Sequence, residues 1–301
     1  MKEKTKLLFA TVCAVAALAA CGKKADVVSP TVAGATVAEE NTSHYKQTEK
    51  FGTVSSIVLT PLFQAPAKYS NYVRQEVSEF TKDEYKKLPD SAFEGYVNTW
   101  LKQAASVEKP DWQMIAGVTH PEIAEETNEF KKQEAGDKVK TEIPADKNQL
   151  NVVYGWQGGM LFIAGPDVTT GEYYLLIRPN NQFNIVSYRN QKNYRYSLYY
   201  RPVFNEVGMK GDNRGDMQLT VKLPIEKAKE IESLRAGNST MIRVYGRVIG
   251  KNADQAPLLR KDGSEAALNV EVEALEFGIR KDGEFKTFFF LDSDQLKRSK
   301  S

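Results

Sequence analysis

Thiols and imidazoles are scarce in this chain: its 301 residues hold two cysteines and two histidines. An activated serine or cysteine nucleophile generally needs a histidine base. His44 and His120 stand apart, with no neighbours that would make a triad or a His-Glu-x-x-His zinc helix, and both are read as surface residues. The Gly-x-Gly-x-x-Gly fingerprint and the phosphate loop are missing as well, which removes the usual nucleotide sites. No metal and no cofactor are expected. Neither charge is in clear excess: 41 Lys and Arg face 39 Asp and Glu, a formal net charge of +2, whereas nucleic-acid binders carry a marked basic surplus. One catalytic option survives these absences. Glycan cleavage needs only two carboxylates at a distance set by the fold, so a carboxylate pair acting on cell-wall glycan stands as the alternative to a non-catalytic protein.

The amino terminus is the most specific stretch. Lys2, Lys4 and Lys6 precede an apolar run from Leu7 to Ala20. That run is shorter than the roughly 20 apolar residues needed to span a bilayer, and it reads as a secretory signal. It closes on Leu18-Ala19-Ala20-Cys21, small residues before a cysteine. This pattern resembles the lipobox of bacterial lipoproteins. The resemblance implies that residues 1–20 are removed, that the Cys21 sulfur takes a diacylglyceryl group and that the new amino group is acylated. Two or three chains, each contributing roughly 0.8 kcal/mol per buried methylene, make a stable anchor. Position 22 is Gly rather than the Asp that retains many such proteins in the inner membrane, so the expected location is the outer membrane, on its periplasmic side.

Removing Lys2, Lys4, Lys6 and Glu3 takes 41 basic and 39 acidic residues to 38 of each. Cys13 leaves with the signal and Cys21 is used by lipid, so the mature chain is expected to have neither disulfide nor free thiol. A core must hold it, and some 280 residues suffice, divided into two units. Residues 21–43 are small, polar and without periodicity, with Pro30 and Gly34. They read as a flexible tether reaching roughly 25 Å root mean square.

The fold class expected for the remainder is α+β. A first domain, 44–207, opens with a short strand within Val54 to Phe63, then helical spacing at Tyr69, Tyr72, Val73, Val77 and Phe80, with Thr81 and Glu84 as a capping box before Pro89. Ser91 and Glu94 suggest a second capping box, and Phe93, Tyr96, Val97, Trp100, Leu101 and Ala104 make a core-facing stripe. Thr119, Pro121 and Glu122 are expected to start another helix, with Glu122, Glu125, Glu126 and Glu129 before Lys131 and Lys132, as the helix dipole favours. From Gln149 the period becomes two, and strands separated by Gly158-Gly159, Thr169 to Gly171 and Asn180-Asn181 suggest an antiparallel meander to Phe204.

Gly208 to Gly215 reads as a turn-rich joint. It leads into Arg214-Gly215-Asp216, which resembles an integrin-binding tripeptide but is short enough to arise by chance. A second domain, 215–295, reads as β-α-β-β-β. Met217, Leu219, Val221 and Leu223 alternate as a half-buried strand. Pro224 suits the first turn of a helix bearing Ile225, Ala228, Ile231 and Leu234, and Gly237 suits its end. Met241 to Ile249 is the next strand. Leu268, Val270, Val272 and Ala274 then give way to Leu275, Phe277 and Ile279, a slip that predicts a β-bulge near Ala274 and Leu275. Asp282-Gly283 predicts a hairpin.

The densest aromatic and basic stretch is Tyr188 to Arg201. As a strand it places Tyr194, Tyr196, Leu198 and Tyr200 on one face and Arg195, Ser197, Tyr199 and Arg201 on the other. Two guanidiniums flanking a tyrosine combine rigid area with planar hydrogen bonding, so Arg195, Tyr199 and Arg201 are the candidate binding residues. The competing reading pairs these arginines with neighbouring acids as a sheet cover. The expected partners are the membrane, through the anchor, and an envelope protein or an anionic cell-wall polymer.

Overall fold

The computed structural model describes residues 58–80, 82–124, 126–157, 160–164, 166–177, 183–189, 195–203, 217–238, 240–250 and 265–298. The signal, Cys21, the tether, His44, the Gly208 joint and the Arg214-Gly215-Asp216 tripeptide lie outside them. The fold is α+β. Eleven strands are described: β1 (Val58–Leu59), β2 (Val73–Gln75), β3 (Asn151–Gln157), β4 (Met160–Ala164), β5 (Glu172–Ile177), β6 (Phe183–Arg189), β7 (Arg195–Val203), β8 (Met217–Lys222), β9 (Thr240–Gly250), β10 (Glu265–Lys281) and β11 (Glu284–Leu291). One sheet has the order β1-β8-β5-β4. The other runs β2-β3-β9-β10-β7-β6, with β11 also pairing β10.

The β-α-β-β-β order is found as β8, α6 (Ile225–Arg235), β9, β10 and β11. Pro224 occupies the position just before the helix, and Gly237, at φ +76°, follows its end, a left-handed position that glycine adopts without strain. Asp282 and Gly283, both at positive φ, close the two-residue turn between Lys281 and Glu284. The bulge lies in β10 against β9, where the register shifts between Val272 and Ala274 and makes Glu273 the extra residue. Within 217–291, Leu219, Val221, Ile231, Val244, Val270, Val272 and Phe277 are buried, while Ile225 is half-buried.

The expected division into domains 44–207 and 215–295 does not separate two bodies. Strands from both sides of the joint share both sheets: β8 lies between β1 and β5, and β9 lies between β3 and β10. Thr42–Ser301 is one unit. A strand buried on both edges needs two partners, and alternation along a strand does not say where in the chain they come from. The strands of 149–204 are likewise distributed, β4 and β5 in one sheet, β3, β6 and β7 in the other.

The helices also differ in detail. The stripe from Phe93 to Ala104 is on α2 (Asp90–Ser106), following α1 (Lys82–Lys86); its first residue is Asp90 after Pro89, so Ser91 is not its cap. α3 (Trp112–Thr119), unforeseen from the sequence, is capped by Asp111, whose carboxylate accepts from Met114 N. The helix expected from Thr119 is two helices, α4 (Pro121–Ala124) and α5 (Glu129–Glu142). Glu126 accepts from Thr127 and Asn128 N–H, and Asn128 accepts from Phe130 and Lys131 N–H. These side chains compete with backbone for the same donors and end one helix to start the next. The helical spacing from Tyr69 to Phe80 is broken by β2, which lies between single 3₁₀ turns at Ala67–Tyr69 and Glu76–Glu79. Over so short a span, 3₁₀ turns imitate a helical period.

One face of the seven-stranded sheet packs against α2 and α3 in the main core, with Trp100, Ile115, Tyr154, Tyr200 and Phe277 fully buried. Part of the opposite face is covered by residues 58–86. Leu62 makes two backbone bonds with Phe290, at 2.9 and 2.7 Å, and β2 runs parallel to β3. Beneath this covering segment Tyr69, Val153, Tyr245, Ala274 and Phe290 form a second apolar cluster.

Candidate functional site

Strand β7 pairs in parallel with β10, with Tyr199 beside Ala267, Arg201 beside Asn269 and Val203 beside Glu271. Leu198 and Tyr200 are buried in the main core, so the alternation places Tyr199 and Arg201 on the outer face, where both are half-exposed. Arg195 opens the same strand, and its side chain lies outside the described residues. Burial lowers the Arg201 guanidinium from its ordinary value. Tyr199 also serves the core through its backbone, its carbonyl accepting from Trp100 Nε1 at 3.2 Å. On β9, Arg247 stands opposite Glu271 and is exposed. The outer face of β7, β10 and β9 therefore carries Arg201 and Arg247 with Glu271 and Glu273.

This face ends at a strand junction that periodicity does not reveal. The parallel β7 pairs with β10 as far as Glu271, and the antiparallel β11 ends on Leu275. Their carboxyl ends meet across residues 272–274 of β10, where Glu273 bulges. Side chains of the covering segment reach residues on both sides of this junction. Tyr72 OH donates to Glu273 Oε2. Asp292, following β11, caps α7 (Ser293–Arg298), accepting from Asp294 and Gln295 N–H at 3.0 and 3.3 Å while Gln295 Oε1 accepts from Asp292 N at 2.8 Å. Lys68 Nζ lies 3.7 Å from Asp292 Oδ2 and 5.0 Å from the centre of the Tyr69 ring.

Tyr69 stacks edge-on against Tyr72 and Tyr245, with ring centres 5.2 Å apart in each case. Burial raises its hydroxyl above the ordinary value, Lys68 opposes that, and the charges of Asp292 and Glu273 add to it. Burial and then the Glu273 bond raise Tyr72. Burial alone would lower the Lys68 ammonium, yet Tyr69, Asp292 and Asp294 outweigh it and hold the group above its usual range. The Lys68 ammonium and the Asp292 and Glu273 carboxylates thus all act on the Tyr69 hydroxyl.

A separate charge network joins the covering segment to the sheet. Arg243 on β9 forms a bidentate pair with Glu79, Nε to Oε1 at 2.6 Å and Nη2 to Oε2 at 2.8 Å, and its Nη1 lies 3.7 Å from Glu276 Oε2. Tyr245 OH and Thr287 Oγ1 donate to Glu276 at 2.8 and 2.5 Å, Arg280 reaches Glu79 and Glu84, and the Arg243 guanidinium lies 3.9 Å from the Phe285 ring. Gly155 opposite Arg243 leaves the space Glu79 occupies: a Cβ there would stand 2.6 Å from Glu79 Oε1. Glu79 and Glu276 are 1% and 5% exposed. Glu79 and Glu276, buried together, are both paired with Arg243.

The other histidine, His120, is half-buried, with Nδ1 3.7 Å from Glu122 and Nε2 4.0 Å from Glu142. Among the described residues no group of His, Cys, Asp and Glu could hold a metal, and no helix is long and apolar enough to cross a membrane. The sequence reading missed Lys68, Tyr69, Tyr72, Glu273 and Asp292 as a group. Its one available signal was the slip after Val272, which located the bulge but not what faces it. No family model matches the chain, no curated protein matches it, and no solved structure matches it.

Proposed function

We propose that the chain is a non-catalytic lipoprotein, anchored in the outer membrane through Cys21 and facing the periplasm, whose folded part binds a protein partner. The observation that carries the anchor is Leu18-Ala19-Ala20-Cys21 at the end of a short apolar run after three lysines. Support for a protein rather than an anionic polymer comes from charge on the outer sheet face. A polyanion is held by a local basic excess, whereas Arg201 and Arg247 are balanced there by Glu271 and Glu273. Arginine and tyrosine in a half-exposed setting are also the residue types that dominate protein interfaces.

The anchor is tested by fractionation. Cys21→Ser should shift the protein to the soluble or unprocessed fraction and Cys13→Ser should leave it with the membrane; equal membrane association of both variants would refute the anchor. The face is tested by crosslinking in the native envelope with Arg195→Glu and Arg201→Glu combined. Loss of one partner at unchanged thermal stability locates the site on β7. Retention of every partner by the folded double variant removes β7 from the proposal.

A further inference from the structure

We infer that one water molecule is bound inside the protein, on the core side of the seven-stranded sheet, where it donates a hydrogen bond to Gln75 Oε1. Four polar side chains from four elements meet there: Gln75 on β2, Tyr154 on β3, Tyr200 on β7 and Gln103 on α2, all fully buried. Strand order alone would keep Tyr154 and Tyr200 apart, since β9 and β10 lie between their strands and three steps across a flat sheet span about 14 Å. Their ring centres are 4.9 Å apart. The sheet therefore curls, and its polar residues face one another across the bend.

The hydrogen bonds of this group leave one acceptor over. Tyr200 OH donates to Gln103 Oε1, and Gln103 Nε2 donates to the Gln149 carbonyl at 2.8 Å. Gln75 Nε2 donates to the Tyr96 carbonyl at 3.4 Å, and the same amide is in hydrogen-bonding contact with the Tyr200 hydroxyl. Gln75 Oε1 has no partner among the described residues. Turning the amide over gives no relief, because Oε1 would then face the Tyr96 carbonyl, one acceptor against another. A buried amide oxygen without a donor is costly, and an internal water commonly supplies the donor where protein does not.

The surroundings select water over other occupants. A cation here would be buried without a counter-charge from these four groups: the glutamines are neutral, and burial raises both tyrosine hydroxyls well above their ordinary value, which keeps them protonated. An organic ligand would have to displace Trp100, Tyr154 or Tyr200, which are all part of the main core. Water needs the least room, and the hydroxyls of Tyr154 and Tyr200, on the same side of the sheet as Gln75, offer it further partners. Gln75 ends β2, so the water fastens the covering segment to the curled sheet through a polar joint.

The test joins a high-resolution crystal structure of the mature protein with oxygen-17 relaxation dispersion in solution, which counts internal waters that exchange slowly with the bulk. In the wild-type crystal an ordered oxygen, shielded from solvent, should lie within about 3.2 Å of Gln75 Oε1. The dispersion amplitude of Gln75→Met should correspond to one slowly exchanging water fewer than wild type, since methionine fills similar space without the acceptor. A protein donor at Gln75 Oε1 in the crystal would overturn the site. So would a folded Gln75→Met variant with the wild-type amplitude. Should Gln75→Met fail to fold, the wild-type crystal decides alone: an oxygen at that position upholds the site, and a dry contact removes it.

Discussion

Arg243 meets two buried carboxylates, and its environment sets how the molecule responds to losing a partner. Taking Glu79 away leaves a guanidinium 6% exposed with only the more distant Glu276 to compensate it. Glu79→Ala should cost about 3 to 5 kcal/mol, the usual consequence of breaking a buried pair from one side. Glu79→Met with Arg243→Met should cost less than Glu79→Ala alone, because the buried guanidinium goes with its partner, while Glu276 keeps the Tyr245 and Thr287 hydroxyls as donors. Urea midpoints of wild type and both variants measure this, and a double variant at least as unstable as the single would show that the pair is not acting as a unit. Arg243 and Glu276 were visible in the sequence only as polar positions within apolar strands. Their relation to Glu79 was not, since 164 residues separate Glu79 from Arg243 and periodicity reports faces, not partners.

At the scale of the element, β10 shows what local pattern can and cannot reveal. Leu268, Val270 and Val272 keep one face to the core, Leu275, Phe277 and Ile279 return to it, and the surplus residue between them was legible as a bulge. The Asp282-Gly283 turn was legible for a similar reason, since both residues tolerate the positive φ that a two-residue hairpin needs. The region from Tyr69 to Phe80 was misread because two single turns flank a three-residue strand. Glycine marks a close approach of β9 and β10: a Cβ on Gly246 would stand 2.2 Å from the Glu271 carbonyl oxygen. Gly246→Ala must therefore push the strands apart beside the bulge. It should destabilise by about 2 kcal/mol or more, within the range for overpacked sites. Hydrogen exchange should show weakened protection at Val248 and Val270, and unchanged exchange there would mean the strands absorb the methyl without moving.

For the whole molecule, the α+β class followed from the change of period after Gln149, whereas the interleaving of the two sheets did not, because strands this distant announce nothing of each other. The buried tyrosines give the molecule a common alkaline limit. Tyr154, Tyr200 and Tyr245 are raised above the model-compound value of 10.0, first by burial. In the unfolded chain they ionise near that value, so above pH 10 the unfolded state binds fewer protons than the folded one and stability falls as pH rises. Each tyrosine contributes up to about 1.4 kcal/mol per pH unit in that window. Melting temperatures should be level between pH 8 and 9.5 and drop clearly by pH 11; a flat profile to pH 11 would place these hydroxyls in contact with water.

The covering segment carries a consequence in time. Tyr72 meets Glu273 across 201 positions, and Glu79 meets Arg243 across 164. A chain emerges from the ribosome amino end first, so residues 58–86 arrive long before the strands that receive them. Until β9, β10 and β11 have been delivered, Tyr69, Tyr72 and Glu79 have no native surface to settle on. Such long-range closure is slow, and the waiting segment is the amino-terminal part of the described residues. Truncations that remove β11 should therefore release the beginning of the folded chain as well as its end, and limited proteolysis should cut such products within residues 58–80.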